Sequence, residues 1–314
     1  MSEYILNLLP LAEGEREKFE ALAPDAVHVY AGRKTVTPQQ MAEATIIFGW
    51  PKAEELHKAR NLKWLQTMWA GTDEYEGEGI LPPGVIMSSS SGSNSLSVAE
   101  HMLASVMALC RRLPTYRDSQ KQHRWTDEGV MKTIYGGTVL VVGAGHIGST
   151  FAGMCRALGA HTIGLKRTVR GPVEGFDEVF PLEKLDELLP QADVVALCLP
   201  HNAQSAGLMN EARIGLMKDD AIFINAGRGS ALDQDALGRA MQKGKLWGAA
   251  LDVTVPEPLP EDSPLWDVPN LLLTSHVAGG LRLPVTRENC VRLALENLKR
   301  YLAGEPLENV VRRG

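Results

Sequence analysis

A glycine-rich turn between a strand-like and a helix-like run constrains this chain more than any other feature. Thr138–Val142 is a short apolar, β-branched run of the kind that forms a buried strand. The sequence then reads G-A-G-H-I-G over 143–148, and apolar residues recur beyond it at helical spacing, at Phe151, Met154, Cys155 and Leu158. G-x-G-x-x-G between a strand and a helix predicts a unit that binds a dinucleotide.

Each glycine of this turn has its own physical reason. Gly143 allows the tight turn, Gly145 leaves room for a pyrophosphate to approach the backbone, and Gly148 lets the helix pack closely on the strand. The helix that begins at His146 and Ile147 presents backbone N–H groups and the positive end of its dipole to the phosphates. We therefore predict that these five positions bind the cofactor.

Strands alternate with helices on both sides of this turn, which predicts parallel sheets covered on both faces. The predicted strands before it are 4–8, 27–29, 46–48, 65–68 and 85–87, with helices at 13–23, 38–44 and 53–59. The predicted strands from it onward are 138–142, 162–165, 194–199, 221–225, 248–252 and 271–274, with helices at 149–158, 182–189, 212–217 and 234–243. The predicted fold class is α/β, with two doubly wound parallel-sheet domains.

Segments outside these two series set the domain boundaries. A long apolar helix is predicted at 97–112, and the charged stretch 113–137 is irregular, either an arm that crosses to a partner or a solvated loop. A closing helix at 284–302 has apolar residues at helical spacing, and we expect it to return to the first domain. We predict a substrate domain of 1–96 plus 285–314 and an NAD(P)-binding domain of 97–284.

Composition excludes several classes of function. The net charge of −6 argues against a general partner of nucleic acids or of anionic membranes. No apolar run approaches the length of a membrane span, and the first residues lack the pattern of a signal peptide. The four cysteines lie far apart and without metal-ligand spacing, so we expect no metal site and reduced, buried thiols in a cytoplasmic protein.

Charged and titratable residues follow the predicted strand ends, where ligands bind in doubly wound sheets. Arg228 lies between two glycines after one strand, and a guanidinium there could hold a carboxylate with two hydrogen bonds. Asp252 ends another strand, with Glu257 just after it, and His276 follows the last strand. The alternatives stay open: Arg228 could pair with a surface carboxylate, and His276 could be a structural residue.

The ordered motifs GAGHIG, NAGRG, DVTVPEP and SHVAGG resemble those of the D-isomer specific 2-hydroxyacid dehydrogenase family, here its NADP-preferring, glyoxylate/hydroxypyruvate reductase-like branch. WAGTD at 69–73 and AEHMLASVMALCRR at 99–112 extend the resemblance over most of the chain. The fold it implies is a Rossmann dinucleotide-binding domain inserted in a flavodoxin-like substrate domain.

The resemblance implies roles for four side chains. Arg228 would bind the substrate carboxylate and polarise the keto group, and His276 would be the acid/base on the substrate oxygen. Glu257 would orient His276 and favour its protonated form, and Asp252 would face the nicotinamide carboxamide.

The same resemblance places substrate-binding groups in the first domain. The loop of Ala70, Gly71 and Thr72 would donate backbone N–H groups to the carboxylate. Trp50, Trp69 and Met68 would shape the pocket, although a place in the core explains each of them equally well.

Two departures from the family pattern bear on the cofactor and the chemistry. Lys166 takes the position at which NAD-binding relatives carry an acidic residue, and Arg167 and Thr168 follow it, which favours NADP(H) through contacts with the 2′-phosphate. Two solvated surface cations are the alternative, and NAD(H) then remains the alternative cofactor. Ser275 replaces a common proline with little expected effect, and Glu257 argues against the formate-oxidising branch.

The function predicted from these features is hydride transfer from NADPH to a small 2-ketoacid to give a D-2-hydroxyacid. Glyoxylate, hydroxypyruvate and pyruvate-like acids are the first candidates, and a homodimer is expected. The rival hypothesis is a non-catalytic, dinucleotide-sensing binding protein that resembles a corepressor.

Overall fold

The chain divides into two compact units, each with its own sheet. The computed structural model describes residues 2–281 and 283–312. One unit comprises the described residues of Met1–Asn94 and Leu281–Gly314, and the other comprises Ser95–Gly280. The predicted boundaries at 96/97 and 284/285 lie close to these, and the functions assigned to the two units stay predictions.

Strands and helices alternate through both units. The strands are β1 Tyr4–Asn7, β2 Val27–Tyr30, β3 Ile46–Gly49, β4 Trp64–Thr67, β5 Ile86–Ser88, β6 Thr138–Val142, β7 His161–Lys166, β8 Glu178–Pro181, β9 Val194–Leu197, β10 Ile222–Asn225, β11 Gly248–Leu251, β12 Leu271–Leu273 and β13 Val310–Arg312. The α-helices are α1 Glu15–Leu22, α2 Pro38–Glu43, α3 Ser95–Cys110, α4 Leu113–Lys121, α5 His146–Ala157, α6 Leu185–Leu188, α7 Glu211–Leu216, α8 Gln234–Gln242 and α9 Pro284–Leu302.

The sheet of the first unit has the order β13-β5-β4-β3-β1-β2. Its five N-terminal strands are parallel in the flavodoxin-like order, and β13 is an antiparallel edge strand paired with β5. Apolar residues cover both faces, and α9 contributes Val291, Ala294 and Leu298 to the cluster that holds Phe48 and Trp64.

The sheet of the second unit has the order β12-β11-β10-β9-β6-β7-β8, and all of its strands are parallel. This is the Rossmann order with a seventh strand at one edge, so the predicted fold class is confirmed. Along β6, Leu140 and Val142 pack in one cluster and Val139 and Val141 in another, because side chains alternate across a strand.

The observed secondary structure departs from the prediction at several elements. Leu113–Lys121 is a helix inside the stretch predicted to be irregular; only Ser119 is buried on it, so its polar sequence carries no apolar period. β8 and β13 were missed because each is a short strand at the edge of its sheet. The helix predicted at 53–59 is a 3₁₀ helix, Ala53–Lys58.

Within residues 2–281 and 283–312, no helix is long and apolar enough to span a membrane. The four cysteines are free, and three of them, Cys110, Cys155 and Cys290, are buried.

Candidate active site

Two glycines of the glycine-rich turn at 143–148 are required by the fold itself. Gly143 follows β6 with φ +114°, and a Cβ there would lie 2.8 Å from the carbonyl oxygen of Cys198. A Cβ on Gly148 would lie 2.2 Å from the carbonyl oxygen of Gly143. No side chain fits at either position, because both clashes are with backbone. The close packing predicted for Gly148 is therefore against the backbone of Gly143, within the same turn.

Gly145 differs, because a Cβ there would meet no atom within 4 Å. It is the N-cap residue of α5, so a substituent would project into open space beside the N-terminal N–H groups of that helix. A groove of about 990 Å³ opens here, lined by Ala144, Gly145, His146, Ser149, Thr150, Gly153, Arg156, Ala157, Lys166, Val173, Glu174 and Gly175. The fold does not need a glycine at 145, whereas a phosphate bound to the helix N-terminus would.

Lys166 lies at the rim of the same groove, at the C-terminal end of β7. Lys166, Arg167 and Thr168 are exposed, and Arg167 and Thr168 are not among the residues that line the groove. Over the described part of the chain, neither Lys166 nor Arg167 forms an ion pair. A dinucleotide phosphate fits this groove, because the groove combines the N–H donors of α5, the Lys166 side chain and open space.

The turn that carries Arg228 is built from buried backbone contacts. Asn225, fully buried at the end of β10, accepts from Gly227 N at 3.1 Å and donates to the carbonyl of Arg228 at 3.0 Å. A Cβ on Gly227 would lie 2.7 Å from the Leu199 carbonyl, and one on Gly229 would lie 2.3 Å from the Thr254 carbonyl. The two glycines therefore serve close backbone packing. Its guanidinium, half-buried, donates to the Gly227 carbonyl at 3.0 Å.

His276 and Glu257 are in contact, which the sequence could not establish. His276 Nδ1 lies 2.7 Å from Glu257 Oε2, and the other oxygen of Glu257 accepts from Thr254 N at 3.1 Å. Both side chains are partly exposed, at 50% and 38%. Because Nδ1 is engaged by the carboxylate, Nε2 is the nitrogen that can exchange a proton with a ligand.

Asp252 is almost fully buried, and both of its oxygens accept hydrogen bonds. Oδ1 accepts from the Thr274 hydroxyl at 2.6 Å and from Val277 N at 3.0 Å, and Oδ2 accepts from Ala278 N at 3.0 Å. These donors surround His276 on both sides in the chain, so Asp252 holds the turn that carries the imidazole. Its predicted contact with the nicotinamide carboxamide stays a prediction.

In the first unit, the loop after β4 has a fixed orientation. The Trp69 carbonyl accepts from Ser90 N at 3.0 Å and from the Thr67 hydroxyl at 2.9 Å. Because a trans peptide is planar, the N–H of Ala70 points away from these two buried partners. Ala70 and Gly71 are half-buried, so this backbone is accessible to a ligand.

Trp50 and Trp69 follow neighbouring strands of the same unit and meet edge to face, with ring centroids 5.7 Å apart. The guanidinium of Arg33 stacks over Trp50 at 3.5 Å, and the Trp50 indole N–H donates to Glu74. Sequence reasoning missed Arg33 and Glu74 because each lies beside another charged residue in a short polar segment that shows no periodic pattern. Met68 is buried in the apolar cluster, as the core interpretation expects.

Sequence reasoning also missed Asn225, Thr274 and His101, which act on the backbone or on other side chains. The only available signal was their position, at or beside strand ends in the first two cases and on a long apolar helix in the third. Within the described residues, no cluster of three or more His, Cys, Asp or Glu could hold a metal ion.

Comparisons with known proteins agree on one family. The sequence profile of the D-isomer specific 2-hydroxyacid dehydrogenase NAD binding domain matches residues 103–278. The D-3-phosphoglycerate dehydrogenase of Archaeoglobus fulgidus is 30% identical over 82% of this chain and 49% of its own length, so this chain spans about half of that relative.

Solved structures match almost the whole chain. A D-isomer specific 2-hydroxyacid dehydrogenase family protein from Aeromonas salmonicida has a TM-score of 0.86 at 29% identity, with 99% of each chain covered. A D-isomer specific 2-hydroxyacid dehydrogenase from Xanthobacter autotrophicus, solved in complex with NADPH and MES, has a TM-score of 0.82 at 29% identity, with 99% of this chain and 98% of that chain covered.

Proposed function

Because the chain belongs to the D-isomer specific 2-hydroxyacid dehydrogenase family, whose enzymes are NAD(P)-dependent oxidoreductases, we propose that it reduces a small 2-ketoacid to a D-2-hydroxyacid. Glyoxylate, hydroxypyruvate and pyruvate-like acids are the proposed substrates. The family and the enzyme class predicted from the sequence are confirmed. The 2.7 Å contact between His276 and Glu257 is the observation that carries the proposal, because it is the arrangement of a proton donor held by a carboxylate.

The reaction needs a hydride and a proton. When bound, the reduced nicotinamide supplies the hydride to the keto carbon. His276 would hold the proton at Nε2 and deliver it to the substrate oxygen, while Glu257 stabilises the protonated imidazole. Arg228 would bind the substrate carboxylate and offset the negative charge that develops on the oxygen.

We assign the cofactor preference to Lys166 and Arg167, with Thr168 beside them. Each hydrogen bond to a charged phosphate contributes about 1.5–3 kcal/mol, so two contacts would favour NADP(H) over NAD(H) by on the order of a hundredfold or more. The position of Lys166 on the groove and its lack of an ion pair within the described residues support this. The Xanthobacter relative bound to NADPH is consistent with it.

The substrate roles of Trp50, Trp69, Ala70 and Gly71 stay predictions. The outward direction of the Ala70 N–H supports a role in binding a carboxylate, because the buried partners of the Trp69 carbonyl fix the peptide plane. The paired indoles support a role as an apolar wall of limited size.

A homodimer and a cytoplasmic location complete the proposal. Large apolar side chains are exposed along one stretch, at Leu113, Trp125, Val130 and Tyr135, and Trp125 is fully exposed. Large exposed apolar side chains within one stretch of a chain are typical of a protein interface, and a second copy of this chain is our proposed partner. Four free cysteines favour a reducing compartment.

The deciding experiment is oxidation of reduced cofactor with a panel of 2-ketoacids, each assayed with NADPH and with NADH. We expect turnover of a short ketoacid, and a fall of roughly a hundredfold to ten-thousandfold in kcat for His276→Ala. Turnover near wild type in that variant would remove His276 from the role of acid. Cofactor binding without turnover of any ketoacid, together with a stable partner in a pulldown, would instead favour the corepressor-like alternative.

The cofactor assignment has a matched test. Lys166→Asp with Arg167→Ala should weaken NADPH binding far more than NADH binding. Lys243→Asp with Arg292→Ala makes the same chemical changes at two exposed residues outside the groove and should alter neither. Equal weakening of both cofactors by the first pair would refute the phosphate contact.

A further inference from the structure

The turn that carries His276 adopts a conformation that an unsupported chain disfavours. His276 has φ +51°, in the left-handed region that residues with a Cβ seldom occupy. Its own N–H donates to the Asp252 carbonyl at 2.8 Å. The conformation must be held by the surroundings, because the sequence around it, Ser275-His276-Val277, offers no glycine at this position.

The nearest support is the Asp252 carboxylate, which accepts from Thr274, Val277 and Ala278 as described above. Of these donors only the Thr274 hydroxyl can rotate. Its single hydrogen is donated to Asp252 Oδ1 at 2.6 Å, so its lone pairs are left to accept from another donor. Whatever donates to this oxygen fixes the direction of the hydroxyl.

A side chain of helix α3 lies beside this oxygen. His101 Nε2 lies 3.2 Å from Thr274 Oγ1 and 3.9 Å from Asp252 Oδ1. One helical turn earlier, the Ser97 hydroxyl donates to the Ala278 carbonyl at 2.6 Å. Residues four apart lie on one face of a helix, so a single face of α3 contacts both ends of the His276 turn.

We propose that His101 is a positioning residue for His276. Its Nε2–H donates to the Thr274 hydroxyl, which directs that hydroxyl at Asp252 and so keeps the turn in its left-handed conformation. The proposal rests on the proposed role of His276 as the acid, but the support of the turn is a property of the folded chain that can be measured without turnover.

The test compares two amides that differ only in reach. In His101→Gln the amide nitrogen is as many bonds from Cα as Nε2 of histidine, so it can still donate to Thr274. In His101→Asn it stops at the position of Nδ1 and cannot. Hydrogen exchange of the peptide that contains Val277 and Ala278 reports the turn, and kcat and KM report the chemistry.

We expect His101→Asn to raise exchange at Val277 and Ala278 by about two- to tenfold and to lower kcat by a similar factor, the effect of one hydrogen bond. The KM values for ketoacid and for NADPH should stay within about twofold of wild type. His101→Gln should restore exchange and kcat. Equal behaviour of the Gln and Asn variants, or unchanged exchange in both, would overturn the proposal.

Thr274→Val removes the bridging hydroxyl and keeps the side-chain shape. We expect it to reproduce the His101→Asn phenotype, and the double variant to be no worse than Thr274→Val alone, because both changes break the same connection. Additive losses would overturn the proposal. If wild-type protein turns over no ketoacid, the proposed function fails, and the exchange data still decide whether His101 holds the turn.

Discussion

Gly145 and Gly148 stand three residues apart in one motif, yet alanine at the two positions should have opposite consequences. A Cβ at Gly145 meets nothing within 4 Å, and its φ of −99° and ψ of −163° suit any residue. A Cβ at Gly148 would lie 2.2 Å from a backbone oxygen. We expect Gly145→Ala to impair cofactor binding alone and Gly148→Ala to impair folding.

The magnitudes follow from these contacts. Gly148→Ala must open the turn by roughly 1 Å, and such overpacking costs about 1–3 kcal/mol, at the upper end because backbone must move. For a unit of this size each kcal/mol lowers Tm by about 2–4 °C. Gly145→Ala should leave the free energy of unfolding unchanged or raise it by about 0.4–1 kcal/mol. Its methyl group would displace phosphate from the helix N–H groups and weaken NADPH binding by at least about tenfold.

Thermal unfolding with and without NADPH measures both effects in one assay. Wild-type protein should gain about 2.7 kcal/mol at a hundredfold excess of NADPH over Kd. Without cofactor, Gly145→Ala should melt at the wild-type temperature or slightly above it, and it should gain much less stability from NADPH. Gly148→Ala should melt lower in both conditions. If Gly145→Ala binds NADPH as tightly as wild type does, phosphate binding at the N-terminus of α5 is refuted. A wild-type Tm in Gly148→Ala would refute the close contact between Gly148 and the Gly143 carbonyl.

Three further predictions follow from contacts described above. Glu257→Gln keeps the shape of the partner of His276 but loses its charge, so kcat should fall about ten- to hundredfold at unchanged KM for NADPH; an unchanged kcat would contradict the ion pair. Burial raises the pKa of the Cys155 and Cys198 thiols to about 12, and it raises the pKa of Cys110 and Cys290 as well. Thiolate is then scarce at pH 8, so Ellman's reagent should find no reactive thiol in native protein and four after denaturation, and rapid native labelling would be inconsistent with this. Light scattering of the wild-type protein should give twice the mass of one chain, and Trp125→Ser should lower the measured mass toward that of a single chain. A monomeric wild type would exclude the proposed dimer.

The sequence was sufficient to predict the elements that show an apolar pattern and the turns that require glycine. Both parallel sheets could be read from alternating strands and helices, because buried parallel strands are continuous apolar runs. The glycine-rich turn at 143–148, between β6 and α5, could be predicted because its glycines have fixed spacing. β8 and α4 could not, because an exposed edge strand and a solvated helix carry no apolar pattern.

Contacts between distant residues were beyond sequence reasoning. Glu257 and His276 were each singled out, but only the structure shows their 2.7 Å contact. Thr274 and His101 gave no signal at all, since a threonine near a strand end and a histidine on an apolar helix are common. Both derive their importance from a neighbour that is remote in sequence.

The insertion of one unit into the other fixes an order of events during synthesis on the ribosome. The second unit is continuous, whereas the first needs α9 to cover Phe48 and Trp64 and needs β13 to pair with β5. While residues 95–280 are being made, roughly ten to forty seconds at usual elongation rates, that apolar face is uncovered. The nascent first unit is therefore the part of this protein that exposes apolar surface for longest during synthesis, and the continuous second unit is free to fold ahead of it.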